Sequence, residues 1–189
     1  MLTNNNLSIT VQQMAGKAKK TTRQILADNK KRVSPLAPHF ILMAHNIRSL
    51  YNVGSLFRSA DVFGIRSVFL SGFTPAPPRA EISKTALGAE ETVHWRKIEN
   101  PVEQIRALKT RDYRIYGLEQ TVTGEFLPGH RVTAGKICLL LGNEVTGIDE
   151  ELIPLVDQFV EIPQYGEKHS LNVSVAAGIA LYAFLVKMS

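Results

Sequence analysis

Three short segments hold the side chains whose types and spacing could do chemistry. HNIRSLYNVGSLFRSADVFG (45–64) places Asn52 and Arg58 six positions apart, an amide and a guanidinium suited to an anion or a developing negative charge. On a regular helix that spacing turns the second side chain about 120° from the first, so Asn52 must act from the helix's first turn if both reach one site. The apolar neighbours Leu56, Phe57, Ala60, Val62 and Phe63 predict a guanidinium held near a packed surface, with an ordinary intramolecular salt bridge as the alternative. ICLLLGNEVTGIDEEL (137–152) reads as strand, glycine turn and helix. Open α/β sheets place their ligands there, outside the carboxyl ends of the strands. The turn from Gly142 to Gly147 has neither GxGxxG nor GxxxxGK[ST], and Glu144 would set a negative charge against a phosphate, which disfavours NAD and nucleoside triphosphates. An acid in such a turn suits a sulfonium, an amine or a sugar hydroxyl, unless it only caps the following helix. EIPQYGEKHSLNVSVAAG (161–178) runs from a strand through a polar loop into an apolar helix, where Ser170 and Asn172 can cap the helix or bind a ligand. His169 is a candidate base, but His39, His45, His94 and His130 add no ligand spacing and there is one cysteine, so no metal site is expected.

These segments need a scaffold, and the apolar runs supply one. HFILMA (39–44), SVFLSG (67–72), RIYGLE (114–119), KICLLLG (136–142) and QFVEIP (158–163) have strand character and alternate with helical patterns, which predicts an α/β domain with a largely parallel sheet flanked by helices. Helices are expected from about Asn52 to a C-terminal cap at Gly64, over Ile82 to Ala89 and over Val102 to Lys109. FTPAPPRA (73–80) holds three prolines and reads as a loop. The final helix, from about Leu171 to Lys187, is apolar nearly all round, with Val175, Ile179, Tyr182 and Val186 at helical spacing, and should be buried on more than one face. Gly178 within it suggests the close approach of another backbone, such as that of a second subunit.

Charge separates the chain into two parts. Residues 1–32 carry Lys17, Lys19, Lys20, Arg23, Lys30, Lys31 and Arg32 against Asp28 alone, so the arm is more basic than the whole chain's net +5 and the remainder is slightly acidic. Residues 1–36 are read as a partly helical or disordered basic arm suited to a polyanion partner, and 37–189 as the folded domain. A solvated tail is the blander alternative. Cys138, inside KICLLLG, reads as a small core residue rather than a nucleophile. MLTNNNLSIT lacks a signal pattern and the longest charge-free segment, 171–186, is too short for a comfortable span, so a soluble, cytoplasmic protein with no membrane partner is expected.

Taken in order, NVGSLFRSADVFG, LLLGNEVTGID and IPQYGEKHSLNVSVAAGIALY resemble the three motifs of the SpoU/TrmH family of SPOUT methyltransferases, across about residues 39–186, and KTALGAE (84–90) is similar to a segment between the first two. The resemblance implies an α/β fold with a C-terminal trefoil knot, an obligate homodimer with the active site at its interface, and transfer of a methyl group from S-adenosylmethionine to a ribose 2′-hydroxyl of tRNA or rRNA. It implies that Leu141, Gly142, Asn143, Gly147, Ile162 and Leu171 hold the cofactor, largely by backbone groups. It implies too that Arg58 helps deprotonate the 2′-hydroxyl, with Asn52, Glu144, Ser170 and Asn172 around it.

A free arginine is a poor base. Either an RNA phosphate assists Arg58 in removing the proton, or Arg58 stabilises the developing alkoxide while water takes it. Holding the methyl and the oxygen in line should supply much of the rate. The loop QYGEKHSLN departs from the family's common pattern, which bears on substrate choice more than on the cofactor. Two other readings compete: a catalytically silent RNA-binding or ribosome-assembly protein on the same fold, and a SPOUT enzyme that methylates a base nitrogen.

Overall fold

The computed structural model describes residues 18–132 and 135–189. They fall into two units, the second beginning at Ser34. In the first, helix α1 (Thr22–Asn29) starts from a capping box in which the Thr21 side chain accepts from the Gln24 amide and Gln24 reaches back to the Thr21 amide. Lys19, Lys20, Arg23, Lys30, Lys31 and Arg32 are all exposed, and Lys20 pairs with Asp28. Lys17 lies outside the described residues.

The second unit is built on a parallel sheet of β1 (Phe40–His45), β2 (Ser67–Ser71), β3 (His94–Ile98), β4 (Tyr113–Leu118), β5 (Glu125–Phe126), β6 (Lys136–Leu141) and β7 (Gln158–Glu161), in the order β3-β2-β1-β6-β4-β7-β5. Each paired ladder is parallel. The central strands β1 and β6 are covered on both faces, which is why they read as unbroken apolar runs. Phe40, Leu42 and Ala44 of β1 face one core, and Ile41 and Met43 face the other. The first core is filled by α2 (Leu50–Val62), α3 (Ala80–Ala86), α4 (Ala89–Thr92) and α6 (Val173–Met188), the second by Ile105 and Leu108 of α5 (Pro101–Lys109) with Leu152. Cys138 is fully buried on β6, and burial pushes its thiol up to about 12, as befits an inert core residue.

Several expectations need correction. The single helix over Ile82–Ala89 is two, α3 and α4, because Leu87 and Gly88 take left-handed conformations with φ of 53° and 90°. No α-helix lies between β6 and β7: an Asn143–Gly147 bridge closes the glycine turn, and a 3₁₀ turn at Ile153–Leu155, containing Pro154, is the one helical segment there. Strands β3 and β5 lie at the sheet's two edges and escape sequence reading, since HWRKI is mostly exposed and EF is two residues long.

The last helix differs most. Ala177, Ala180, Leu181 and Phe184 are its buried side, whereas Val175, Ile179, Tyr182 and Val186 are 51%, 42%, 61% and 57% exposed. The stripe expected inside is therefore a solvent-facing apolar stripe. Nothing among the described residues lies within 4 Å of a Cβ added at Gly178, so no described backbone of this chain makes the expected close approach.

Candidate functional site

Helix α2 begins at Ser49, whose hydroxyl accepts from the Asn52 amide. This makes Asn52 the third residue of the helix, still inside the first turn, where free amides and the helix dipole favour an anion. Glu144 provides that anion from a loop 92 residues away. Its carboxylate accepts from the Arg48 amide at 2.9 Å, the Ser49 amide at 3.2 Å and Asn52 Nδ2 at 2.9 Å. Glu144 thus caps α2, not a helix of its own. Partial burial pushes its carboxyl upward, but the bonds from the Arg48 amide, the Asn52 side chain, its own amide and the Ser49 amide outweigh this and hold it below the usual carboxylate range. With its oxygens so engaged, Glu144 is a fixed charge rather than a proton acceptor.

Asn172 extends the chain of bonds. It caps α6, its Oδ1 accepting from the Ser174 amide at 2.9 Å, the Val175 amide at 3.4 Å and the Ser174 hydroxyl at 2.7 Å. Its Nδ2 is then directed to Asn52 Oδ1 at 3.0 Å. Asn172, Asn52 and Glu144 form one relay that joins the starts of α6 and α2 to the turn after β6, and each amide orientation follows from its neighbours.

Beside this relay lies a cavity of about 310 Å³ at the carboxyl ends of β4, β6 and β7. Leu141, Gly142, Asn143, Gly147, Ile162 and Leu171 all line it, as do Glu144 and Ser170. Gly142 is needed there: a Cβ would stand 2.3 Å from the carbonyl carbon of Gly147, which itself has φ 73°. Asn143 fixes the turn, its Oδ1 accepting from the Val145 and Thr146 amides. The walls are apolar at Leu118, Val160, Val173 and Ala176, and the ionisable residues around the cavity are Glu119, Glu144, Glu161 and His169. Gln120 Nε2 donates to the His169 carbonyl at 2.7 Å, tying the loop after β4 to the polar loop before α6. Such a site suits a mostly apolar ligand carrying positive charge.

Glu119 was not singled out from sequence. Its carboxylate accepts from the Ile148 amide at 3.1 Å and the Gln120 amide at 3.0 Å. Its position one residue past an apolar strand is the signal that could have found it.

Arg58 stands apart. Leu56, Phe57 and Ala60 are buried as their apolar character requires, but the helix turns Arg58 outward. It is exposed, not held against a packed surface, and lines a separate cavity of about 390 Å³ with Ser55, Ser59, Val62, Phe63, Lys84 and Thr85. The structure therefore does not bring Arg58 to the relay of its own chain. KTALGAE is tied to the first motif instead: Thr85 Oγ1 donates to the Tyr51 carbonyl at 3.0 Å, and the missing side chain of Gly54 admits the Ile82 carbonyl.

The profile of the SpoU rRNA Methylase family matches residues 39–182, a span that includes the relay, the cavity, the second core and all of the first but Leu36 and Phe184. The chain belongs to this family. As a SpoU family member it is 31% identical over 144 residues to the tRNA (guanosine(18)-2′-O)-methyltransferase of Aquifex aeolicus, covering 75% of this chain and 66% of that protein. It is likewise 31% identical over 152 residues to the 23S rRNA (guanosine-2′-O-)-methyltransferase of Vibrio vulnificus, covering 80% and 59%. This SpoU chain thus spans less than two thirds of the length of these curated relatives. Among solved structures, the A. aeolicus TrmH/SpoU tRNA modifying enzyme superposes with a TM-score of 0.74 at 25% identity, over 82% of this chain and 77% of that one. An rRNA methyltransferase from Sinorhizobium meliloti, solved with AdoMet bound, shares the fold with a TM-score of 0.72 at 24% identity, over 80% and 57%.

Proposed function

We propose that this SpoU family chain transfers the methyl group of S-adenosylmethionine to a ribose 2′-hydroxyl of tRNA or rRNA. The observation that carries the reading is the Glu144–Asn52–Asn172 relay set beside a cavity whose acidic residues match a cationic ligand. S-adenosylmethionine would supply an electrophilic methyl on a sulfonium. Leu141, Gly142, Asn143, Gly147, Ile162 and Leu171 would hold it, and backbone groups, which neither titrate nor move, suit that task. Glu144 and Asn52 would orient the ribose from the first turn of α2, with Ser170 and Asn172 on the opposite loop.

Arg58 would come from a second copy. It is exposed on α2, away from the relay, and α6, which packs on α2, shows the solvent-facing stripe of Val175, Ile179, Tyr182 and Val186. An apolar stripe of that kind favours a subunit contact, and a homodimer joined there would set each Arg58 against its neighbour's pocket. In that place the guanidinium would stabilise the alkoxide as the proton leaves. The C-terminal trefoil knot belongs to this reading through the family resemblance. A cytoplasmic location is part of the same proposal, and among the described residues no helix is long and apolar enough to cross a membrane. Lys19, Lys20, Arg23, Lys30, Lys31 and Arg32 would bind the RNA backbone, Lys17 with them.

The test is to incubate the chain with labelled S-adenosylmethionine and bulk tRNA and rRNA, then digest the product for nucleoside mass spectrometry. A 2′-O-methylated nucleoside is expected. A methylated base, or no transfer with normal RNA binding, would replace this reading with one of its rivals.

A further inference from the structure

The carboxyl edge of the sheet carries a polar chain, buried at His45 and Ser71 and part-exposed at Asn46 and Asp149, that the relay does not use. His45 ends β1 and Ser71 ends β2, and the two are partners across the parallel ladder. The His45 residue is 3% exposed, with Ser71 Oγ 2.8 Å from Nδ1 and Asp149 Oδ2 3.0 Å from Nε2. A carboxylate only accepts, so Nε2–H donates to Asp149 and, in the neutral ring, the Ser71 hydroxyl donates to Nδ1. Serine, histidine and aspartate in a row would suggest a nucleophile, but Ser71 is wholly buried and can meet no substrate.

The same Asp149 oxygen also accepts from Asn46 Nδ2 at 2.8 Å. Asn46 sits in the left-handed region at φ 55°, accepts from the Phe73 amide through Oδ1 at 3.0 Å, and offers its carbonyl to Asn143 Nδ2 at 2.7 Å. The turn after β6 is therefore pinned to residues 45–49 along its whole length: at its start by Asn143, in its middle by Glu144 and just past its end by Asp149. The middle pin belongs to the relay already described. The last one does not.

We infer that His45, Asn46 and Asp149 form a positioning latch that sets the Gly142–Ile148 turn, and with it the cofactor pocket, against the first turn of α2. The latch rests on the methyltransferase reading, because its purpose is to shape the pocket for S-adenosylmethionine. None of its three residues lines the cavity, so it acts through the turn rather than on the ligand. A charge-assisted bond from a buried ring is strong and costly to lose, which fits it to hold a loop in one place. Both bonds to Asp149 end on one oxygen, so a carbonyl there could replace the carboxylate.

The experiment is calorimetry of the full chain with S-adenosylmethionine, paired with thermal unfolding, on wild type, Asp149→Ala, Asp149→Asn and Asn46→Gly. Asp149→Ala should weaken binding about tenfold. Asp149→Asn should stay within about threefold of wild type, since its oxygen can accept both bonds. Wild-type affinity in Asp149→Ala overturns the latch, as does an equal loss in Asp149→Ala and Asp149→Asn, which would mark a need for charge or mere loss of stability. Should Asp149→Ala not fold, Asn46→Gly takes its place: it keeps the left-handed backbone while removing the bond to Asp149 and the one from the Phe73 amide, and about threefold weaker binding is expected, with unchanged affinity refuting the idea. A wild type without affinity for S-adenosylmethionine would sink the parent reading and the latch together, whereas differences among the variants bear on the latch alone.

Discussion

Removing Glu144 tests whether the start of α2 is held by a charge on a distant loop. Glu144→Ala deletes three hydrogen bonds to a carboxylate, from the Arg48 amide, the Ser49 amide and Asn52 Nδ2. Buried bonds of this kind are worth roughly 1.5–3 kcal/mol each. Here Glu144 is half-buried, Arg48 is exposed and water can replace the lost acceptor, so about 0.7 kcal/mol per bond, or about 2 kcal/mol in all, is the better figure. For a chain of this size that lowers the unfolding midpoint by about 4–8 °C. Glu144→Gln, which keeps an acceptor but turns its amide toward one of the donors, should lose about half as much.

The dependence on pH has a definite sign. The folded carboxyl is held below its ordinary value, so its stabilisation is fully present above about pH 4.3, the unfolded value, and is lost as pH falls through the folded one. Thermal unfolding of wild type and Glu144→Ala from pH 7 down to pH 3 should therefore show a gap that narrows only below about pH 4. Methyl transfer at pH 7 should drop by about a hundredfold, because Asn52 loses the partner that orients it. A midpoint within 1 °C of wild type at pH 7, or a gap that is the same at both ends of the titration, would refute the capping argument.

Other outcomes follow from the same geometry. Arg58→Ala should abolish transfer while calorimetry shows nearly unchanged S-adenosylmethionine affinity, since Arg58 lines neither the cavity nor the relay of its own chain. Tyr182→Glu, which places a charge in the exposed stripe of α6, should give a monomer in sedimentation equilibrium with an unfolding midpoint close to that of wild type; a stable dimer would move the subunit contact elsewhere. Cys138 should resist thiol reagents at neutral pH until the chain unfolds, as its burial and a thiol near 12 require.

How far the sequence could be read depended on whether a feature is local. β1, β2 and β6 were legible because strands buried on both faces leave apolar runs, and β4 and β7 because each keeps a shorter apolar stretch. The Gly142–Gly147 turn was legible because it follows such a strand, whereas Ile162 and Leu171, which also line the cavity, were reached only through the family resemblance. The edge strands β3 and β5 bury little and leave no such run. The asymmetry of α6 was invisible for a different reason: Val175 and Ile179 are as apolar as Ala177 and Leu181, so composition alone does not say which side this chain covers and which it leaves exposed.

Pairings across long separations were the least accessible. Glu144 with Asn52, Asp149 with His45 and Asn172 with Asn52 join residues 92, 104 and 120 positions apart. Each residue taken singly has an ordinary use as a cap or a loop polar group. What distinguishes them is that the parallel sheet brings the ends of β1, β2 and β6 to one edge, where a polar side chain must find a partner or face water. Arg58 is the converse case. Its motif places it in sequence order with Asn52, but helix geometry sends it to another face, so the proposed role of Arg58 requires a second copy of the chain, which the sedimentation and Arg58→Ala experiments test.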